Sequence, residues 1–290
     1  MNLLKLGIPK GSLQDATIKL FHKSGWNISI TNRNYFPEIN DTALACSILR
    51  AQEMPVHVES GTLDVGLTGR DWKEENESDV VIVADLIYSK LSQRPARWVL
   101  AVSADSDIKE LSDLKGKVIA TELVNFTRKY FAQKGIDVKI EFSWGTTEAK
   151  VAAGLADAIV EVTETGSTIN AHGLKIIHEL MQSNTILIAN KKSWEDPWKR
   201  TKIENIALLL KGALRAESMV GLKMNIPKER LDSIISSLPS ITSPTMANLF
   251  QSNWVSVEVM IHKEKVRELI PQLIRQGAKG IIEYPLNKVI

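Results

Sequence analysis

Apolar stretches of strand length alternate with segments whose apolar residues recur every three or four positions, from the N-terminus to about residue 190. Parallel strands need helical crossovers and are buried on both faces, so this alternation predicts an α/β region with a mostly parallel sheet. Leu3 to Pro9 reads as the first buried strand. Gly11 and Ser12 then open a helix carrying Leu13, Ala16, Thr17, Leu20 and Phe21 on one face, stopped at Gly25. Further strands are predicted at Asp64 to Thr68, Val80 to Leu86, Arg97 to Val102, Lys117 to Thr121, Val138 to Phe142, Asp157 to Val162 and Thr185 to Ala189.

Two stretches about 90 residues apart resemble each other. Gly61, Leu63, Asp64, Val65, Gly66 and Leu67 follow a short helical segment, and Gly154, Ala156, Asp157, Ala158, Ile159 and Val160 follow another. In each, a Gly can end the helix in a left-handed turn and an Asp stands at the mouth of a buried strand. The repetition suggests two similar lobes with a ligand-holding cleft between them, against the alternative of a common turn recurring by chance.

From Lys199 the pattern changes. A long helical segment runs to about Arg215, Met219 to Ile226 reads as a strand, and Pro227 to Leu238 as a helix begun by proline. Thr245 to Phe250 and Trp254 to Ile261 read as strands around a polar turn at Gln251 to Asn253, followed by a helix at Lys265 to Gln276 and a strand at Gly280 to Tyr284. Strand, helix, strand, strand, helix, strand is the order of a ferredoxin-like module.

At 290 residues, 44% apolar and 24% charged, the composition is that of a globular chain and excludes a disordered or fibrous one. A net charge of +2 gives no long-range pull toward a polyanion, so nucleic acid is not expected as a partner. Cys46 is the one cysteine and the histidines number five, a usage that fits a cytoplasmic chain without a structural metal. No apolar run reaches the roughly 18 residues of a membrane span, and a strand begins at once at the N-terminus, so neither a membrane partner nor export is expected.

The segment Ala156 to Leu174, ADAIVEVTETGSTINAHGL, carries the most chemistry. A buried strand ends in Glu161, and Val162, Thr163, Glu164, Thr165, Gly166, Ser167 and Thr168 lead into a short helix. Small hydroxyl residues at a helix start aim backbone N–H groups and hydroxyls at one point, which suits a phosphate. Neighbouring carboxylates cannot hold a phosphate but can accept hydrogen bonds from vicinal sugar hydroxyls. The pattern therefore suits a ribose 5-phosphate, with Glu161 or Glu164 on the hydroxyls and Thr165 to Thr168 around the phosphate. The structural alternative is a helix capped by Ser167 or Thr168.

This segment resembles the phosphoribosyl-pyrophosphate (PRPP) loop of the ATP phosphoribosyltransferase family, and three further blocks agree in order: Gly7 to Leu13 (GIPKGSL), Arg50 to Asp71 (RAQEMPVHVESGTLDVGLTGRD), and Arg97 with Lys115 to Thr121 and the helix Asn125 to Gly135. The C-terminal module resembles the regulatory domain of the family's long form, so the likeness covers nearly the whole chain. Departures are mild: Glu161 stands where many members have Asp, Glu164 where some have a small hydroxyl residue, and His172 where Asn is common.

The resemblance implies a two-lobed, periplasmic-binding-protein-like catalytic region plus a ferredoxin-like regulatory domain. Residues 1–90 would form the first lobe, completed by about 180–212, residues 91–179 the second, and 213–290 the regulatory domain. It also implies the family reaction, in which adenine N1 of ATP displaces pyrophosphate from PRPP with Mg2+ bridging the pyrophosphate oxygens. Lys10, Arg50 and Arg97 become candidates for charge neutralisation, residues 161–168 for PRPP, and Lys10, Gly11, Ser12, Gly69 and Arg70 for ATP. Histidine as inhibitor would sit near Ser243, Thr245 and Asn248, and assembly as dimers and hexamers is expected. Asp64 and Glu53 read more readily as turn or cap residues, Asp71 as a helix cap, Cys46 as a small buried residue, and Trp72, Trp98 and Trp144 as packing residues. A non-catalytic two-lobed solute-binding protein is the competing class, disfavoured by the acid and Thr/Gly bend and by the missing export signal.

Overall fold

Short runs of Leu, Ile, Val and Ala form the inner strands of two five-stranded sheets, seen in a computed structural model that describes residues 2–30, 35–88, 95–239 and 243–290. The chain divides into two units, residues 1–22 with 26–207 and residues 23–25 with 208–290.

In the first unit, β1 (Leu4–Lys10), α1 (Gln14–Ser24), the two-residue strands β2 (Ile28–Ser29) and β3 (Glu38–Ile39), β4 (Leu44–Arg50), α2 (Met54–Glu59), β5 (Val65–Gly69), α3 (Arg70–Glu75) and β6 (Val81–Leu86) come first. The chain then builds β7 (Ala96–Ser103), β8 (Val118–Thr121), α4 (Val124–Gln133), β9 (Lys139–Phe142), α5 (Thr147–Ala152), β10 (Ala158–Thr163), α6 (Ser167–Ala171) and β11 (Leu174–Ser183). It returns as β12 (Thr185–Ala189), followed by α7 (Lys191–Glu195) and α8 (Pro197–Glu217).

The first sheet has the order β4-β1-β5-β12-β6 and the second β11-β7-β10-β8-β9. Read from the β4 and β9 edges the two orders correspond, with β1 matching β8 and β5 matching β10. In each sheet one strand runs against the other four, β12 in the first and β7 in the second. The repeated Gly and Asp serve this likeness. Gly61 and Gly154 turn with positive φ (78° and 67°), a conformation that a side chain disfavours. Asp64 then accepts the Lys5 N–H at 2.8 Å and Asp157 the Val118 N–H at 2.9 Å, each carboxylate pinning the start of the neighbouring strand.

Besides the two-residue β2 and β3, two longer strands were not expected. β4 is an edge strand of alternating burial interrupted by Cys46 and Ser47, and β11 is a bulged edge strand carrying Lys175, His178, Glu179 and Gln182. An edge strand needs only one apolar face, so neither forms a continuous apolar run.

The second unit contains β13 (Met219–Pro227), α9 (Leu231–Ser237), β14 (Thr245–Asn248), β15 (Trp254–His262), α10 (Lys263–Arg275) and β16 (Lys279–Pro285). Its antiparallel sheet has the order β14-β15-β13-β16. Val220, Leu222, Met224 and Ile226 stand directly opposite Ile261, Val259, Val257 and Val255 in the register, and Ile234, Val266, Leu269 and Leu273 of the helices pack with them in one core. Pro227 ends a strand here rather than starting a helix, and α9 follows only after a 3-10 turn at Lys228–Arg230.

Candidate active site

In open α/β sheets, ligands gather at the carboxyl ends of the parallel strands. In the first sheet those ends carry Lys10 on β1 and Arg50 on β4, directly paired in the strand register, with Gly69 closing β5. Gly11 (φ 97°) and Ser12 form the exposed turn from β1 into α1. The Lys10 ammonium lies 4.7 Å from the Tyr35 ring centroid. Arg70 points elsewhere, donating to Asp85 on β6 at 2.6 Å.

In the second sheet the corresponding end carries the acidic, hydroxyl-bearing bend. Glu161 and Thr163 close β10, Gly166 (φ 81°) precedes α6, and Ile169 anchors that helix in the core. Thr163 Oγ1 accepts the Gly166 N–H at 2.8 Å, and Thr165 and Ser167 share a hydroxyl contact at 2.9 Å. Thr165, Ser167 and Thr168 are exposed, while Glu161 and Glu164 are half-buried. The structural alternative is visible too, since part of the hydroxyl set satisfies its own turn. Arg97 lies opposite Thr163 in the β7–β10 register, but its guanidinium reaches Glu179 of β11 at 3.3 Å.

Glu161 is the electrostatic centre of this bend. Burial, and then the charges of Glu122 and Glu148, push its pKa up to about 7, against hydrogen bonds from the Val162 N–H and the Thr147 hydroxyl. Glu122, just past β8, is raised in turn by burial, with the Asp71 charge adding to it and the Gly145 N–H opposing it. Glu122, Thr147 and Glu148 escaped the sequence reading, and Trp144 was read there only as a packing residue. The signal available was position, for an acid just past the end of a parallel strand is placed as the site residues are.

Asp71 and Trp98, read as a cap and a packing residue, form one unit. Asp71 is buried, accepts the Trp98 indole N–H at 2.7 Å and its own Trp72 N–H at 2.9 Å, and so links α3 beside the first sheet to β7 of the second. Burial raises its pKa despite these donors. Trp144 does not pack inside: it is 60% exposed and faces Arg50.

Asp64 is structural here, bound to Ser193 and Lys199 at 2.6 Å each besides Lys5. Glu53 precedes α2 without a side-chain cap bond. Cys46 is buried, its thiol pushed up to about 12 by burial, and it lines a cavity of about 920 Å³ along β4 together with Phe36, Leu44 and Leu63; none of the expected site residues borders that cavity. In the second unit, Thr245 and Asn248 lie exposed on the edge strand β14, with Ser243 just before it; the residues 240–242 of that expected segment fall outside the described ones. Among the described residues no three His, Cys, Asp or Glu side chains converge on a metal position, and no helix is long and apolar enough to cross a membrane.

Comparison with known proteins places these features. The model of the family described as "HisG: ATP phosphoribosyltransferase" matches residues 50–212, and that of "HisG, C-terminal domain" matches residues 216–288. The chain is 67% identical over 289 residues to an ATP phosphoribosyltransferase of Solidesulfovibrio magneticus, covering 100% of this chain and 99% of that protein. It is 64% identical over 287 residues to one of Desulfatibacillum aliphaticivorans, covering 99% and 98%. Among solved structures, a chain of the ATP phosphoribosyl transferase (HisG:HisZ) complex from Thermotoga maritima superposes with a TM-score of 0.62 at 27% identity, over 72% of this chain and 98% of that one.

Proposed function

The chain belongs to the ATP phosphoribosyltransferase family, and from that premise we propose how its own residues carry the reaction. It joins adenine N1 of ATP to C1 of PRPP, releases pyrophosphate and forms N1-(5-phosphoribosyl)-ATP, the first step of histidine biosynthesis. N1 is already nucleophilic, so no Ser, Cys or His nucleophile has to be activated. The barrier comes from bringing two polyanions together and stabilising a departing diphosphate, so positioning and charge neutralisation carry the catalysis.

In this reading residues 161–168 take the ribose 5-phosphate, with Glu161 on the ring hydroxyls, Glu164 beside it, and Thr165, Gly166, Ser167 and Thr168 around the phosphate. Lys10, Gly11, Ser12 and Gly69 meet the triphosphate of ATP. Lys10 and Arg50, side by side and without a carboxylate partner among the described residues, receive the developing charge. Arg70 would have to leave Asp85 and Arg97 would have to leave Glu179 to join them. Magnesium bound with the substrates would help to neutralise the leaving diphosphate, and the half-buried Glu122 and Glu161 are the carboxylates that could help to hold it.

The observation that carries this reading is the opposition of a basic sheet end and an acidic, hydroxyl-bearing one, joined by the contact of Arg50 with Trp144. The two sheets of equal strand order support a periplasmic-binding-protein-like pair of lobes, over residues 1–90 with about 180–212 and over 91–179. The β14-β15-β13-β16 sheet supports a ferredoxin-like regulatory domain over 213–290. Histidine would bind there near Ser243, Thr245 and Asn248, whose exposed hydroxyls and amide suit a zwitterion. The exposed edge β14 supports assembly into dimers and hexamers. Residence in the cytoplasm, where ATP and PRPP are made, completes the reading.

The test mixes purified protein with ATP, PRPP and magnesium and follows the adenine absorbance change on N1 ribosylation, with and without histidine. No change in absorbance would refute the reaction, and an unaltered rate with histidine would refute the regulation.

A further inference from the structure

Arg50 ends the edge strand β4 of the first sheet, and Trp144 follows the edge strand β9 that holds the corresponding place in the second. Their side chains meet, with the guanidinium carbon over the indole ring 4.6 Å from its centroid. Both residues are exposed, so the contact is not an accident of core packing. The loop that carries Trp144 is built for display. Ser143 is buried and bonded to Thr147 at 3.0 Å, Gly145 and Thr146 take positive φ (68° and 51°), and the Gly145 N–H is tied to Glu122. Thr147 in turn bonds Glu161 at the root of the acidic bend.

A carboxylate could have held Arg50 just as firmly, but it would neutralise the charge and occupy the N–H fork. An aromatic face holds a guanidinium through its π surface and leaves all the in-plane N–H donors and the full charge available. Among the described residues Arg50 has no acidic partner, in contrast to Arg70 and Arg97.

We infer that Trp144 is a positioning residue for Arg50, holding its guanidinium from the opposite sheet as an anion receptor in the cleft. The inference rests on the proposed reaction, in which that anion is the diphosphate leaving group. Trp144 touches no reacting atom in this scheme and acts through Arg50 alone.

A double-mutant cycle tests it in the full-length protein. Trp144→Ala is expected to lower kcat about tenfold with the KM for ATP within about twofold, and Trp144→Tyr to restore most of the rate, since stacked cations contribute on this scale. In an Arg50→Ala background, Trp144→Ala should cost nothing further, because the group it positions is gone. A parallel titration with pyrophosphate alone, followed by tryptophan fluorescence, should show an emission change in the wild type that Arg50→Ala and Trp144→Phe each abolish.

Additive losses in the cycle would overturn the inference. So would a Trp144→Ala effect confined to the KM for ATP, which would make the indole a purine platform instead. If the wild type forms no product but the pyrophosphate signal behaves as expected, the reaction reading fails and the positioning of Arg50 stands.

Discussion

The half-buried Glu161 sets the pH response of the bend. Its pKa is about 7 in the folded chain against an ordinary 4.5, because burial and the Glu122 and Glu148 charges oppose ionisation. A carboxyl whose folded pKa is raised contributes stability that is fully present below pH 4.5 and lost as the pH rises through about 7. Glu161→Gln should therefore match the wild type at low pH and exceed it by about 2 kcal/mol at pH 8, as measured by urea unfolding at both values. Function should move the opposite way. Vicinal hydroxyls donate best to the ionised carboxylate, so the KM for PRPP should fall as the pH rises from 6 to 8, and that dependence should flatten in Glu161→Gln. A variant whose KM keeps the wild-type slope would show that another group, such as the PRPP phosphates, titrates there. The Asp71 to Trp98 bond makes a second prediction at this scale. Trp98→Phe leaves a buried carboxylate one donor short while keeping much of the ring packing, and should cost about 1–3 kcal/mol in chemical denaturation.

Elements meet closely where side chains have been given up. α2 lies over β1 and β5 at the paired residues Gly7 and Gly66, and a Cβ on Gly66 would stand 2.6 Å from Met54 Sδ, inside a Met54 side chain with no exposure. Gly66→Ala should thus destabilise the chain by about 1–3 kcal/mol, and Gly66→Ala with Met54→Ala by less than the sum of the two single changes, in thermal unfolding. The Gly and Asp spacing of this region was legible in the sequence as a repeat, since the same turn and the same strand-pinning carboxylate are needed in each sheet. The second unit was legible for a similar reason: alternation on β13 and β15 and helical spacing on α10 are local and repeat often. Edge strands β4 and β11 were not, because Cys46 and Ser47 in the one and Lys175, His178, Glu179 and Gln182 in the other break the apolar run. The pairing of Arg50 with Trp144 was also out of reach, because it depends on which strands become the edges of two separate sheets. For Trp144, aromatic residues inside a chain are more often core than surface, and this one stands exposed just before the left-handed Gly145 and Thr146.

At the scale of the whole molecule, the chain holds two units with separate cores, the second built on Val220, Leu222, Val257, Ile261 and Leu269. Ligands that bind only the folded form stabilise the unit that binds them, by about 2.7 kcal/mol at a hundred times the dissociation constant. On the proposed assignment of PRPP with magnesium to the first unit and histidine to the second, the two should then act on different thermal transitions. A smaller unit has a smaller unfolding entropy, so the same free energy moves its midpoint further, about 10 °C or more against about 5–10 °C for the larger one. Scanning calorimetry with each ligand alone should show histidine raising chiefly the transition of the smaller unit and PRPP that of the larger. Thr245→Ala combined with Asn248→Ala should remove the histidine shift and leave the PRPP shift in place, because both residues are exposed and neither contributes to the second core. With both ligands present the shifts should fall short of their sum, since an inhibitor that weakens substrate binding must itself be weakened by the substrate to the same degree. Histidine acting only on the larger transition would place its site among the catalytic sheets and remove the regulatory role from β14.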